Sequence, residues 1–221
     1  MPFDTQQFLD VFADYNTSVF PAQILLLVAG LLILRLADSG DVSSSRIATS
    51  ILSALWLWMG YVYHWVFFTR INDLAIVFGA MFVVQAAILF YAGVIRNDLR
   101  FERQSGARRS IGTLVVVYAL VIYPLIGIAV GHSYPYSPTF GLPCPTTIFT
   151  LGLLIRSSRR VPFYVLPLML IWAAIGSSAA YSLGVTEDLG LLVAGVCAAA
   201  FVIADRLERL HSPTGLAVKE N

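Results

Sequence analysis

Residues 110–155 read SIGTLVVVYALVIYPLIGIAVGHSYPYSPTFGLPCPTTIFTLGLLI, 46 positions without Asp, Glu, Lys or Arg between Arg109 and Arg156. A helix that crosses a bilayer needs about 20 predominantly apolar residues, so this stretch holds two. The polar, turn-prone run His132-Ser133-Tyr134-Pro135-Tyr136-Ser137 is the natural break between them. Outward from this stretch, shorter charge-free gaps lie between Asp14 and Arg35, Arg46 and Arg70, Asp73 and Arg96, Arg160 and Glu187, and Asp188 and Asp205. The gaps predict seven spans, near 17–36, 47–69, 72–95, 111–131, 138–155, 161–184 and 186–205.

The whole chain supports that reading. Of 221 residues, 58% are apolar and 12% charged, and the mean hydropathy is +0.78. A soluble fold of this size has too much surface to hide such a composition. Disorder requires the opposite balance of charge and hydrophobicity. A net charge of +1 argues against a nucleic-acid partner, and two cysteines make no disulfide framework. The expected fold is an all-α polytopic membrane protein, one integral membrane domain over 1–221. Residues 1–16 are an amphipathic interfacial segment, because Phe8, Leu9, Phe12 and Tyr15 alternate with Asp4, Asp10 and Asp14 at near-helical spacing. They are read as a lid or a gate. No basic leader precedes an apolar core, so no cleaved signal peptide is expected. Residues 17–95 carry spans one to three, 96–131 a basic loop and span four, 138–205 spans five to seven, and 206–221 a tail.

With the N-terminus outside, 13 of the 14 positive charges fall on the inner side and only Arg70 on the outer. The positive-inside rule then predicts an N-terminus on the outer side, periplasmic or extracellular, and a tail on the inner side.

Spans one and five share a pattern. Pro21 precedes Gly30 by nine positions, as Pro143 precedes Gly152, and Leu-Leu-Ile-Arg or Leu-Leu-Ile-Leu-Arg follows each glycine. Trp56 and Gly60 in span two match Trp172 and Gly176 in span six, and Asn72-Asp73-Leu74 matches Glu187-Asp188-Leu189. The pattern predicts a parallel repeat, three helices plus a linker plus three. Chance similarity between apolar helices is the competing account. Parallel repeats build carriers whose substrate sits between the halves. In topology alone the layout looks like that of sugar-efflux facilitators of the SWEET type, although span two lacks the proline of that family.

The densest unusual chemistry is Pro138 to Thr147. Pro143, Pro145 and Gly141 oppose a regular helix there. Carbonyls freed within a membrane require protein, water or ligand partners. Pro21 and Pro143 are expected as hinges, with Gln23, Pro145, Thr146 and Thr147 as contacts and Trp56 and Trp172 as cavity walls. A packed kink, with the threonines bonding their own helix, is the plainer account. His64 lies about five residues from the outer end of span two, either a belt histidine bonded to a tyrosine or an intramembrane functional group. His64, His132 and Cys144 form a candidate metal or haem set. Asp73, Glu187 and Asp188 form a candidate ion entry, although a Thr186 cap with acids in the first turn of span seven explains the last two. Cys197 reads as packing.

Lys219 is the only lysine, so a retinal Schiff base in a span is excluded. No phosphate loop, metalloprotease motif or nucleophile elbow is present. The stretches Trp58-Met-Gly-x-x-Tyr-His-x-x-Phe-Phe68, Phe140-Gly-Leu-Pro-Cys-Pro-Thr-Thr-Ile-Phe-Thr150 and Glu187-Asp-Leu-Gly-Leu-Leu-Val-Ala-Gly195 resemble a family of uncharacterised bacterial multipass membrane proteins defined by a domain of unknown function. The resemblance implies no activity, cofactor or site. The expected function is transport or binding of a small solute or ion by alternating access between two three-helix halves. The alternatives are an outer-facing metal, haem or redox protein, and a membrane enzyme or accessory subunit. The expected partners are the lipid bilayer and the solute, and a homo-oligomer stays open.

Overall fold

The structure, a computed structural model, describes residues 2–102, 105–157 and 161–211. Arg103, Arg159, Arg160 and Lys219, four of the charges used for orientation, lie outside the described residues, as does the tail 212–221. Among the described residues eight helices follow one another: α1 Thr5–Val19, α2 Ala22–Ala37, α3 Val42–Arg70, α4 Ala75–Ile95, α5 Gly106–Ala129, α6 Pro143–Ser157, α7 Phe163–Leu183, and α8, a 3-10 turn Thr186–Asp188 continued by Leu189–His211. Five of them, α3, α4, α5, α7 and α8, are long and apolar enough to cross a bilayer, and α1 with α2 makes a sixth if their 89° bend is one broken span. The 15 residues of α6 reach only about 22 Å at 1.5 Å per residue.

Helix α1 is amphipathic as its spacing predicts. Asp4 caps it, accepting from the Gln7 N–H at 2.8 Å while the Gln7 side chain accepts from the Asp4 N–H at 3.0 Å. Its buried face of Phe8, Val11, Phe12 and Tyr15 packs on Tyr63, Phe67 and Phe68 of α3, Ala75 of α4, Leu142 before α6, and Leu183 and Val185 of the α7–α8 turn. Helix α1 therefore lies across one end of the bundle. Thr5 Oγ1 donates to the Leu183 carbonyl, and an exposed Arg70–Asp14 pair adds an outer tie.

Helix α6 is the axis of the bundle. From Pro145 to Arg156 every residue is buried. Glycines let α5 approach it closely: a Cβ on Gly112 would lie 2.6 Å from Arg156 Cα, and one on Gly152 would lie 2.9 Å from the Val116 nitrogen. The prolines do not interrupt this helix, as span five predicts, but begin it. Pro143 and Pro145 occupy the first turn, whose N–H groups have no partner within the helix. Residues 130–142 fold over the bundle end instead, turning at Gly141 with φ +100°.

Three long helices contain π-helical turns, Met59–Phe67 in α3, Tyr91–Ile95 in α4 and Tyr118–Ile122 in α5. The turn in α5 precedes Pro124, which supplies no N–H to the preceding carbonyls. In α3 the wider winding puts the pairs 59/60, 63/64 and 67/68 on the buried face.

The opposite end of the bundle is basic and tied by ion pairs. Arg156 of α6 donates to both Asp38 oxygens at 2.9 and 2.7 Å, with Arg109 nearby at 3.5 Å. Arg108 binds Asp205 through two bonds of 2.7 and 2.9 Å. Asp41 caps α3 by accepting from the Ser44 N–H, which holds its carboxyl down at about 2.

Candidate functional site

A cavity of about 480 Å³ lies under α1. Its roof is Phe3, Phe8 and Phe12, and its walls include Tyr63, Phe68 and Phe78. Its floor brings together Tyr123 of α5, Pro143, Cys144 and Pro145 of α6, Trp172 of α7 and Asp188 of α8. Four helices thus converge on one polar corner of an otherwise aromatic chamber. Tyr123 donates to Asp188 Oδ1, and the Cys144 thiol is in hydrogen-bonding contact with the same carboxyl. The indole N–H of Trp172, 6% exposed, has no oxygen or nitrogen partner among the described residues and lies against the weakly accepting Cys144 sulfur.

Glu187, one residue earlier, points to a second buried group. Its Oε1 meets His132 Nδ1 at 2.8 Å, its carbonyl accepts from Tyr118 at 2.7 Å, and its Oε2 has no partner. Glu187 is 0% and Asp188 3% exposed. Among the described residues no arginine or lysine pairs with either acid. This corrects their reading as first-turn acids behind a Thr186 cap. Thr186 lies within the 3-10 turn, and Val185 holds the cap position with no side-chain bond. Burying two carboxyls without a cation is costly. Packing alone does not call for it, which makes the pair the candidate site of the chain.

His64 is the third unusual group. It is fully buried in the α3 π turn, and neither ring nitrogen has a partner. Phe82 and Trp172 pack against it with ring centroids at 4.7 and 5.2 Å, and Tyr63, Phe68 and Phe78 complete the surround. The hydrogen bond to a tyrosine expected of a belt histidine is absent from the described residues. His64, His132 and Cys144 do not assemble as ligands: one sits among rings, one on Glu187 and one on Asp188. Among the described residues no group of three or more His, Cys, Asp or Glu is placed to hold a metal ion.

The other expected contacts divide. Trp56 is core, not cavity wall: it stacks on Phe82 at 4.7 Å and donates to Thr150 Oγ1 at 3.1 Å. Trp172 meets the same ring in a T-shaped contact at 4.9 Å and does line the cavity. Thr146 Oγ1 accepts from the Gly141 N–H at 2.9 Å, which makes it a structural tie, and buried Thr147 has no partner. Pro21 is exposed, and Asp73 is exposed at the start of α4. Gln23 lines a smaller chamber of about 260 Å³ that shares Tyr123, Pro138 and Pro145 with the larger one. The larger chamber lies between α3, α4, α5, α6, α7 and α8 under α1, without α2.

Asn16 was missed by the sequence reading. Fully buried, it donates to the Pro135 and Ser137 carbonyls at 2.6 and 2.8 Å and accepts from Thr139 at 2.8 Å. Gln23 donates to its carbonyl at 2.6 Å. Asn16 locks α1 to the 130–142 segment. The only sequence signal is one amide on the apolar side of an amphipathic helix.

The fold and site define a helical protein with membrane-compatible helices and one enclosed polar corner. Residues 5–212 match the family of unknown function DUF6064, and the chain belongs to that family. No curated protein and no solved structure matches it.

Proposed function

We propose that the protein is a multipass membrane protein that binds a small solute in the chamber under α1 and moves it by alternating access of its two halves, α2–α4 and α6–α8, with α5 as linker. The observation that carries this reading is the 480 Å³ space walled by rings and floored by Asp188, Tyr123, Cys144 and Trp172. Mostly apolar pockets with a few convergent polar groups are the usual form of small-molecule sites.

In this reading all of α2–α8 cross the membrane. Helix α6 is covered by protein, so its short length leaves no backbone in lipid. Helix α1 lies at the outer face of a bacterial inner membrane, and the arginine-rich end faces the cytoplasm. Purified protein is expected to carry a bound small molecule detectable by native mass spectrometry. Ala179→Phe, which fills the chamber from α7, is expected to lose it. Equal flux of that molecule into proteoliposomes of wild type and Ala179→Phe would refute carriage through this site.

A further inference from the structure

The opening of the chamber restricts what enters it. Its roof is shut, because Phe8 and Phe12 of α1 are buried against α3 and the α7–α8 turn. Four lining residues are exposed: Pro2 before α1, Leu74 at the head of α4, and Ala174 and Ser178 of α7. The last three lie on the flank of the bundle. Ala174 and Ser178 belong to a stripe with Ile171 and Tyr181 that is exposed along a helix apolar enough to cross a bilayer. Leu74 and Val77 form the facing exposed edge of α4. Ala174 lies nine positions before Leu183, so the opening runs about 14 Å down the flank, close to half the apolar thickness of a bilayer. Asp73, exposed beside Leu74, is the charge at its water-facing end.

We infer that the chamber is entered from the lipid, between α4 and α7, by a membrane amphipath whose apolar chain lies among the rings and whose polar group sits at the corner of Asp188, Cys144 and Trp172. The inference rests on the chamber being the binding site and adds the class of its occupant and the route. A hydrophilic solute has no favourable path along an apolar flank, whereas an acyl or isoprenoid chain crosses it without leaving an apolar medium. The small side chains of Ala174 and Ser178 leave the gap open. Inside, the aromatic walls suit a chain, and the corner of Asp188, Cys144 and Trp172, where the buried indole N–H has only a sulfur beside it, suits a polar group.

The test uses the full chain in vesicles of phosphatidylcholine carrying a diazirine on one acyl chain. After irradiation, adducts are expected on Tyr63, Cys144 and Trp172, which line the chamber. They are expected to fall several-fold in an Ala174→Trp, Ser178→Trp double variant, whose changes sit at exposed positions and narrow the gap. Adducts confined to Val77, Ile171 and Tyr181 in the wild type would overturn the inference. Native mass spectrometry of the same preparation separates the two failures. A water-soluble molecule bound in wild type and lost in Ala179→Phe, with adducts only outside, overturns lipid entry and keeps the chamber as a site. An interior with neither adducts nor bound molecule removes both readings.

Discussion

The two ends of the bundle solve the same electrostatic problem in opposite ways. At the basic end each buried or half-buried charge has an opposite partner: Arg156 has Asp38, and Arg108 has Asp205. At the α1 end two acids are more deeply buried, yet Asp188 is held by a phenol and a thiol, and Glu187 by His132 alone. The basic end has its ion pairs, with only shallow space beside Arg108. The α1 end has a chamber, two acids without arginine or lysine, and orphaned atoms on His64 and Glu187. One end holds the helices together, and the other keeps polar groups available inside an apolar wall.

The matched tryptophans give the largest expected contrast. Trp56→Ala removes a fully buried side chain that stacks on Phe82, and is expected to cost about 3–5 kcal/mol. Trp172→Ala enlarges an existing space and is expected to cost less than about 2 kcal/mol while abolishing solute binding. Unfolding in dodecyl sulfate measures both, and equal costs would break the distinction between core and site. Next in size, Arg156→Leu leaves Asp38 with only Arg109 and is expected to cost about 1.5–3 kcal/mol, with occupancy of the chamber unchanged. Asn16→Ala strips the Pro135 and Ser137 carbonyls of their donor, at about 1–3 kcal/mol. Hydrogen exchange is expected to rise in α1 and residues 130–142 and to stay unchanged in α6. The smallest effect belongs to Arg70→Ala, whose partner Asp14 is exposed. A loss of less than about 1 kcal/mol is expected, and a larger one would make that pair part of the closure.

Charge-free gaps located the helices because ionisable groups mark where a chain leaves an apolar medium. That signal gives depth along the helix axis and nothing about cover from the side. Asp188 and Glu187 stand at a helix end as read, but Tyr123 and Cys144 arrive from other helices and His132 from the 130–142 segment, and α1 roofs the chamber beside them. Span five was placed from residue 138 because apolar content continues through the prolines, whereas Pro143 and Pro145 serve as a first turn. The π turns around His64 and before Pro124 shift which side chains face inward, and no apolar count records a change of winding. Asn16 escaped because the three groups its side chain ties down, on Pro135, Ser137 and Thr139, lie more than 115 residues away.

The comparison of the two ends stands on the chamber being a binding site. Native mass spectrometry of the wild type beside Ala179→Phe tests it most directly. The account predicts a small molecule bound to the wild type and absent from the variant, both folded; a wild type that carries nothing, or a variant that carries the same molecule, would contradict it.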